Sequence, residues 1–309
     1  MQYEEIVDWL LEGDVAVQYQ TQRDLLGNDD PKLQQKIAFE GWGAQFLKAR
    51  NPDGGWGRAF YQIKWTSGHY TLLDLKNIGL SPDTASVKHD IADYLSTEIS
   101  PTDGGIGPFG PKGNSDVCVN GMFLNYACYF GVEETSINSI VDFLLTEQMA
   151  DGGFNCRSNR AKPKHSSLHS TCSVIEGFSS YLQGGYQHRP DEVRNAMEQA
   201  IEFMLLHQLF ISDRTGEIID KKFLQLTFPA RWKYNVLRGM DALRAAKVAW
   251  DPRMQAAIDV LQKKRRPDGR WNAQAKHSGE THFNMERAGQ AGRWNTLMAL
   301  RVFKRYGVE

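Results

Sequence analysis

Three positions in this chain set a cation beside an indole: Lys64-Trp65, Arg231-Trp232 and Arg293-Trp294. Tyr234 follows the second of them, and His69 lies one helical turn beyond Trp65. Asp116-Val-Cys118 sets a carboxylate near a thiol. His165 and His169 would share one helix face, with Cys172 a turn further on and Glu176 deeper. Glu280, His282 and Glu286 fall in one stretch shortly before Arg293. Guanidinium and ammonium groups hold anions, indoles stack on cations or flat ligands, and carboxylates, thiols and imidazoles move protons or ligate metals. Each group also has a plainer use. Cys118 serves equally as a small buried hydrophobe, His169 as a hydrogen-bonded core residue, and each cation–indole pair as a contact pinning one helix to the next. The choice turns on which of them the fold brings together.

The elements that must position them come from a repeat. Asp53-Gly-Gly-Trp56, Asp103-Gly-Gly-Ile106, Asp151-Gly-Gly-Phe154 and Asp268-Gly-Arg-Trp271 are spaced by 50, 48 and 117 residues, the last gap holding a worn copy at Asp213-Arg-Thr-Gly216-Glu217. Asp bonds its own backbone two residues on and Gly supplies positive φ, so the motif predicts a tight turn whose aromatic residue packs between neighbouring units. Before the turn, stretches such as 135–148 and 191–208 carry apolar residues at spacings of three and four, the helical period. After it, past a polar loop, second helices are predicted over 65–78, 116–130, 166–182, 230–248 and 293–306. A sixth over 15–26 follows a first outer helix over 4–11. The chain thus reads as a single all-α domain over 1–309, built of about six helical hairpins. If inner and outer helices alternate around a ring, every inner helix points the same way. Their N-termini, with free N–H groups, then gather at one electropositive mouth of a central cavity. The residues named above fall at or near those N-termini.

At the level of fold, nearly the whole chain resembles the α/α toroids of the squalene cyclases and protein prenyltransferases. Phe143-Leu144-x-x-x-Gln148-x-x-x-Gly152-x-Phe154 looks like the QW repeat of the cyclases, and Phe203-Met204-x-x-x-Gln208 and Arg265-x-x-x-Gly269-x-Trp271 are partial copies. The resemblance implies an (α/α)6 barrel with a central cavity. In the prenyltransferases an Asp-x-Cys at one inner-helix start and a His at a later one bind catalytic zinc. Carried over, the ligands are Asp116, Cys118 and His169, with His165 competing for the imidazole role because the stretch after His169 departs from the family pattern. The squalene cyclases' Asp-rich protonating motif is missing at the comparable place, where only Asp116 remains, which argues against proton-initiated cyclisation.

Composition narrows the field. A net charge near −1 and a pI near 6.7 give no bulk attraction to nucleic acid or anionic membrane. Transmembrane, signal-peptide and nucleotide-binding motifs are not visible, so a cytoplasmic location is expected, with Cys118, Cys128, Cys156 and Cys172 reduced. The expected partner is a small molecule, with oligomeric state open. The leading expectation is an isoprenoid-handling enzyme. An aromatic cavity formed with Trp65, His69, Trp232, Tyr234 and Trp294 would hold the hydrocarbon, Lys64, Arg231 and Arg293 a diphosphate, and zinc the acceptor. Asp116, His169 and Glu176 would be the catalytic groups. The alternatives are a carbohydrate-active toroid enzyme, in which Asp116, Glu176 or Glu286 form an acid/base pair, and a binding protein without chemistry.

Overall fold

The computed structural model describes residues 3–156 and 163–308. Six helical hairpins follow one another: α1 (Tyr3–Leu11) with α2 (Val15–Gln20, continued by π-helical turns Thr21–Leu26), then, past the short α3 (Pro31–Lys36), α4 (Gly41–Lys48) with α5 (Gly68–Asn77). They continue as α6 (Ala85–Glu98) with α7 (Val117–Tyr129), α8 (Asn138–Thr146) with α9 (Leu168–Gln183), α10 (Pro190–Leu206) with α11 (Val236–Ala245), and α12 (Gln255–Lys264) with α13 (Arg293–Tyr306). Among the described residues the only sheet is β1 (Trp271–Asn272) paired antiparallel with β2 (Ala291–Gly292). The expected all-α toroid is the observed fold. Second members of the six hairpins form the inner ring, since each contributes residues to one axial cavity.

Turn chemistry builds each hairpin as the repeat demands. Gly54, Gly104, Gly152, Gly216 and Gly269 all have positive φ. Asp103, Asp151 and Asp268 each accept a hydrogen bond from the backbone N–H two residues on. The motif's large residue is driven into the core: Trp56, Ile106, Phe154 and Trp271 are all buried. Its N–H is taken by a side chain of the next inner helix, Asn120 for Ile106, Thr171 for Phe154 and Thr296 for Trp271, at 2.9–3.0 Å. The indoles of Trp56 and Trp271 donate to carbonyls of the preceding outer helices, Phe46 and Leu261. The worn copy makes the same kind of turn, bracketed by an Ile211–Ile218 bridge as Ile99–Ile106 brackets its equivalent.

Neighbouring inner helices pack in chain order, with α7 and α9 closest. Gly121 and Gly177 permit that approach, because a Cβ on Gly121 would lie 2.7 Å from the Ser173 carbonyl carbon. Closure brings the last repeat to the first. Arg301 of α13 bonds Gln20 of α2, Gln20 bonds the Asn77 carbonyl at the end of α5, and Arg293 bonds the Trp9 carbonyl of α1. No helix among the described residues is long and apolar enough to cross a membrane.

Two inner elements begin three or more residues later than the periodicity predicts. The fifth starts at Val236 and not at 230, because Arg231 takes a left-handed backbone (φ 56°) and Asn235 caps the Arg238 N–H. The second starts at Gly68, after a 3-10 turn Lys64–Thr66. Lys64, Trp65, Arg231, Trp232 and Tyr234 therefore sit on connecting loops, and not in first helical turns.

Candidate functional site

Inner-helix starts do gather at one mouth. The Cys118 N–H at the start of α7 donates to Cys156 Sγ on the loop before α9 (3.3 Å). The Tyr234 N–H before α11 donates to His169 Nδ1 in α9 (2.8 Å), and Asn295 of α13 donates to the Leu226 carbonyl before α11. A cleft of about 570 Å³ opens there. Its apolar wall is Tyr61, Ile63, Pro108, Phe109 and Trp232, its cations are Arg58 and Lys64, and its floor holds Asp116, Cys118, Cys156 and His169.

On that floor the Asp116 carboxylate, Cys118 Sγ and Cys156 Sγ lie within 4.8 Å of one another. A carboxylate with two thiols is a zinc-type donor set. The group differs from the expected one, because Cys156 stands where His169 was expected. His169 Nδ1 accepts the Tyr234 N–H, so the neutral ring carries its proton on Nε2 and offers a metal no lone pair there. The ring is packed between Phe223 and Trp232. His165, the competing imidazole, is exposed. The residues present thus fit a metal with Cys156 in the imidazole's place. In the metal-free chain the neighbouring Cys156 thiol, and then burial, push the Cys118 thiol well above its usual range.

The remaining candidates divide by contact. Lys64 is exposed at the cleft rim, its Nζ 4.7 Å over the Trp65 ring. Trp65 is buried and donates to the Ser278 carbonyl, pinning the 273–288 loop over the mouth, and does not line the cleft. His69 is fully buried, with Nδ1 bonded to the Tyr126 hydroxyl, and burial lowers it to about 3. Arg231 stacks on Trp65 rather than on its own neighbour and donates to Asp74 Oδ2 (3.1 and 3.3 Å). Arg293 lies over Trp9 on the outer seam with α1, away from the cleft. Adjacent residues on a helix or tight loop point to different sides. Lys64 stays over its own neighbour Trp65, Arg231 comes to that same ring but is tied to Asp74, and Arg293 is carried off to Trp9, so the three do not line one cleft. Trp294 is buried, stacked on Phe228 at 4.4 Å. Tyr234 is buried, its hydroxyl bonded to nothing among the described residues.

Glu176 is not poised as an acid. Both its oxygens are held by Arg238, at 2.6 and 2.9 Å. Glu286 accepts the Arg293 and Trp294 N–H groups as the cap of α13, and burial raises its carboxyl. His282 bonds Thr71 (2.9 Å), and Glu280 is exposed.

The sequence reading missed Cys156. It lies two residues past the motif's large apolar residue, as do Arg58 and Pro108, and all three line the same cleft. Ala273, two past Trp271, lines a neighbouring cavity under the 273–288 loop. That offset was the available signal. The expected central cavity is present, about 270 Å³, running from the 226–231 loop toward the inner helices' carboxyl ends, but its character was missed. Its walls are not the aromatic lining expected for a hydrocarbon, but include Arg23, Lys76, Arg238, Arg244 and Arg301.

These features define a helical toroid with a polar axis and a cleft at its N-terminal mouth. No family model matches the chain, and no curated protein matches it in sequence. Among solved structures it is similar to a glycosyl hydrolase family 88 protein from Bacteroides vulgatus, at 15% identity over 94% of this chain and 89% of that one, with a TM-score of 0.51. A type II terpene cyclase, MstE from Scytonema, solved with its product merosterolic acid A, matches at 15% identity over 89% of this chain and 95% of that one, with a TM-score of 0.35. At that identity the first likeness is one of fold.

Proposed function

We propose that the chain is an enzyme acting on an isoprenoid diphosphate at the mouth cleft, assisted by zinc on Asp116, Cys118 and Cys156. The observation that carries this reading is the convergence of that donor set with an apolar wall and two cations in a single cleft. Zinc bound there would supply a Lewis acid that holds an acceptor thiol or water in its anionic form. Arg58 and Lys64 take the diphosphate oxygens through charge-assisted hydrogen bonds. Phe109 and Ile63, both exposed, with Trp232, cover the first carbons of the chain and keep water from them. His169 is fixed at the cleft floor by the Tyr234 N–H.

A second reading, a carbohydrate-active enzyme, is favoured by Trp232 and Asp116 sharing the cleft, an indole for a sugar face beside a carboxylate. It lacks a second acid: Asp116 is the sole carboxylate among the described lining residues.

The test is metal content and ligand response together. Protein purified without a histidine tag is expected to hold one zinc, lost in Cys118→Ser and Cys156→Ser and retained in His169→Ala. A 15-carbon or 20-carbon prenyl diphosphate at a hundred times its Kd raises stability by about 2.7 kcal/mol, visible as a melting shift. Zinc-free wild type after supplementation would refute the metal part. A shift with acidic oligosaccharides and none with prenyl diphosphates would install the second reading.

A further inference from the structure

The axial cavity carries more positive charge than its own carboxylates neutralise. Asp24 is shared by Arg23 (2.7 Å) and Arg301 (3.1 Å). Asp241 is shared by Arg244 (2.7 Å) and Arg301. Glu176 takes Arg238, and Asp74 takes Arg231 at the upper end. Lys76, half-buried in the last turn of α5, has no hydrogen bond or ion pair among the described residues. Six cations therefore face four carboxylates, an excess of two positive charges in one cavity.

A plainer account must be weighed. The carbonyl ends of helices attract cations, which explains a Lys in the last turn of α5 and an Arg in that of α11. That attraction is about 0.3–1 kcal/mol and confined to the last turn, whereas an uncompensated charge taken out of water costs several kcal/mol. It also leaves Arg238 and Arg301 unexplained, since both stand well before the last turns of α11 and α13. Burial draws the Lys76 ammonium down to about 8, the response of a cation whose surroundings compensate it poorly.

We propose that the axial cavity is a second binding site, for a small molecule bearing a dianionic group, a phosphate monoester or a pair of carboxylates, with Lys76 as its principal charged contact. The two-charge excess sets the ligand's charge, and a volume of about 270 Å³ limits it to metabolite size. Ordered guanidinium groups around it, each held in place by a carboxylate, supply directed donors without further loss of side-chain freedom. The site is independent of the mouth, so a zinc-free chain binds the dianion as well as a loaded one.

The test titrates wild type, Lys76→Met and the mouth variant Lys64→Ala with inorganic phosphate, glycerol 3-phosphate and succinate at pH 7, by calorimetry. Chloride fixes the ionic strength, and glycerol is the neutral control. At least one dianion is expected to bind wild type with unit stoichiometry. Lys76→Met should weaken it tenfold or more, and Lys64→Ala less than twofold. The phosphates and succinate separate the two ligand sources. Absence of binding by all three, or equal weakening by both variants, overturns the proposal. Should Lys76→Met not fold, wild type suffices: mass spectrometry after limited acetylation should show Lys76 protected several-fold by the dianion and the exposed Lys222 unchanged. Equal labelling with and without the dianion overturns it too.

Discussion

At the scale of single residues, type proved a poorer guide than surroundings. Trp56 and Trp294 are both buried indoles, yet only Trp56 spends its N–H on a backbone carbonyl, at Phe46 (2.7 Å). Trp56→Ala should therefore lose both a filled volume and a buried hydrogen bond. We expect a destabilisation of about 3–5 kcal/mol in urea unfolding, with ligand binding at the mouth unchanged. A variant of normal stability with impaired binding would show that Trp56 serves the site. Cation–indole neighbours were legible as residues that stack, but which indole each cation covers was not: Lys64 keeps its neighbour Trp65, whereas Arg231 also covers Trp65, Arg293 covers Trp9, and Trp232 takes Lys233. Such pairing depends on which way each loop turns, and nothing in a dipeptide encodes that. The metal candidate shows the same limit. Asp116 and Cys118 were legible because they are close in sequence, whereas Cys156 enters through a loop one repeat later.

At the scale of elements, the hairpins were legible because their signals are local: apolar period, turn glycines and the aromatic that follows. Helix starts were less so. The Arg231 backbone and the Asn235 cap moved α11 six residues from its expected start and took Trp232 and Tyr234 out of the helix. The α7–α9 contact rests on two glycines that sequence alone would price as helix weakeners. Gly121→Ala tests their use. In an exposed helix the change would gain up to about 1 kcal/mol. Here its Cβ would press on the Ser173–Val174 backbone, so a loss of about 1–3 kcal/mol is expected. A gain in melting temperature would show that α7 and α9 have slack the structure does not show.

At the scale of the whole molecule, the ring closes over a mouth covered by the 273–288 loop, and histidines hold that cover. His282 bonds Thr71 of α5, His277 lies against Trp65, and His69 is buried beneath. Burial, above all other causes, lowers all three below the usual value of 6.5: His69 to about 3, His277 and His282 to about 4. The nearby cations Arg231, Lys64 and Lys233 add to the effect at His277, and Arg231 at His282. A folded-state pKa below the unfolded one means the unfolded chain binds more protons between the two values. Stability is then fully present above about 6.5 and is lost as pH falls toward 4. Each proton of difference costs about 1.4 kcal/mol per pH unit, in full for His69 and in part for the other two, which keep some solvent. Carboxyls enter with both signs, the raised ones opposing the decline and the lowered ones reinforcing it. Asp74 and Glu286, raised by burial, gain protons on folding, while Asp24 and Asp241, lowered by their arginines, resist protonation. Comparison with a histidine variant isolates the imidazole part of the decline from these carboxyls. Urea unfolding at pH 7, 6 and 5 should show the decline, and His69→Phe, which keeps an aromatic ring between Phe60 and Tyr126, should flatten it by about one proton's worth. A stability that stays level from pH 7 to 5 in wild type would mean that the mouth opens to water on its own, and that these imidazoles are solvated in the folded chain.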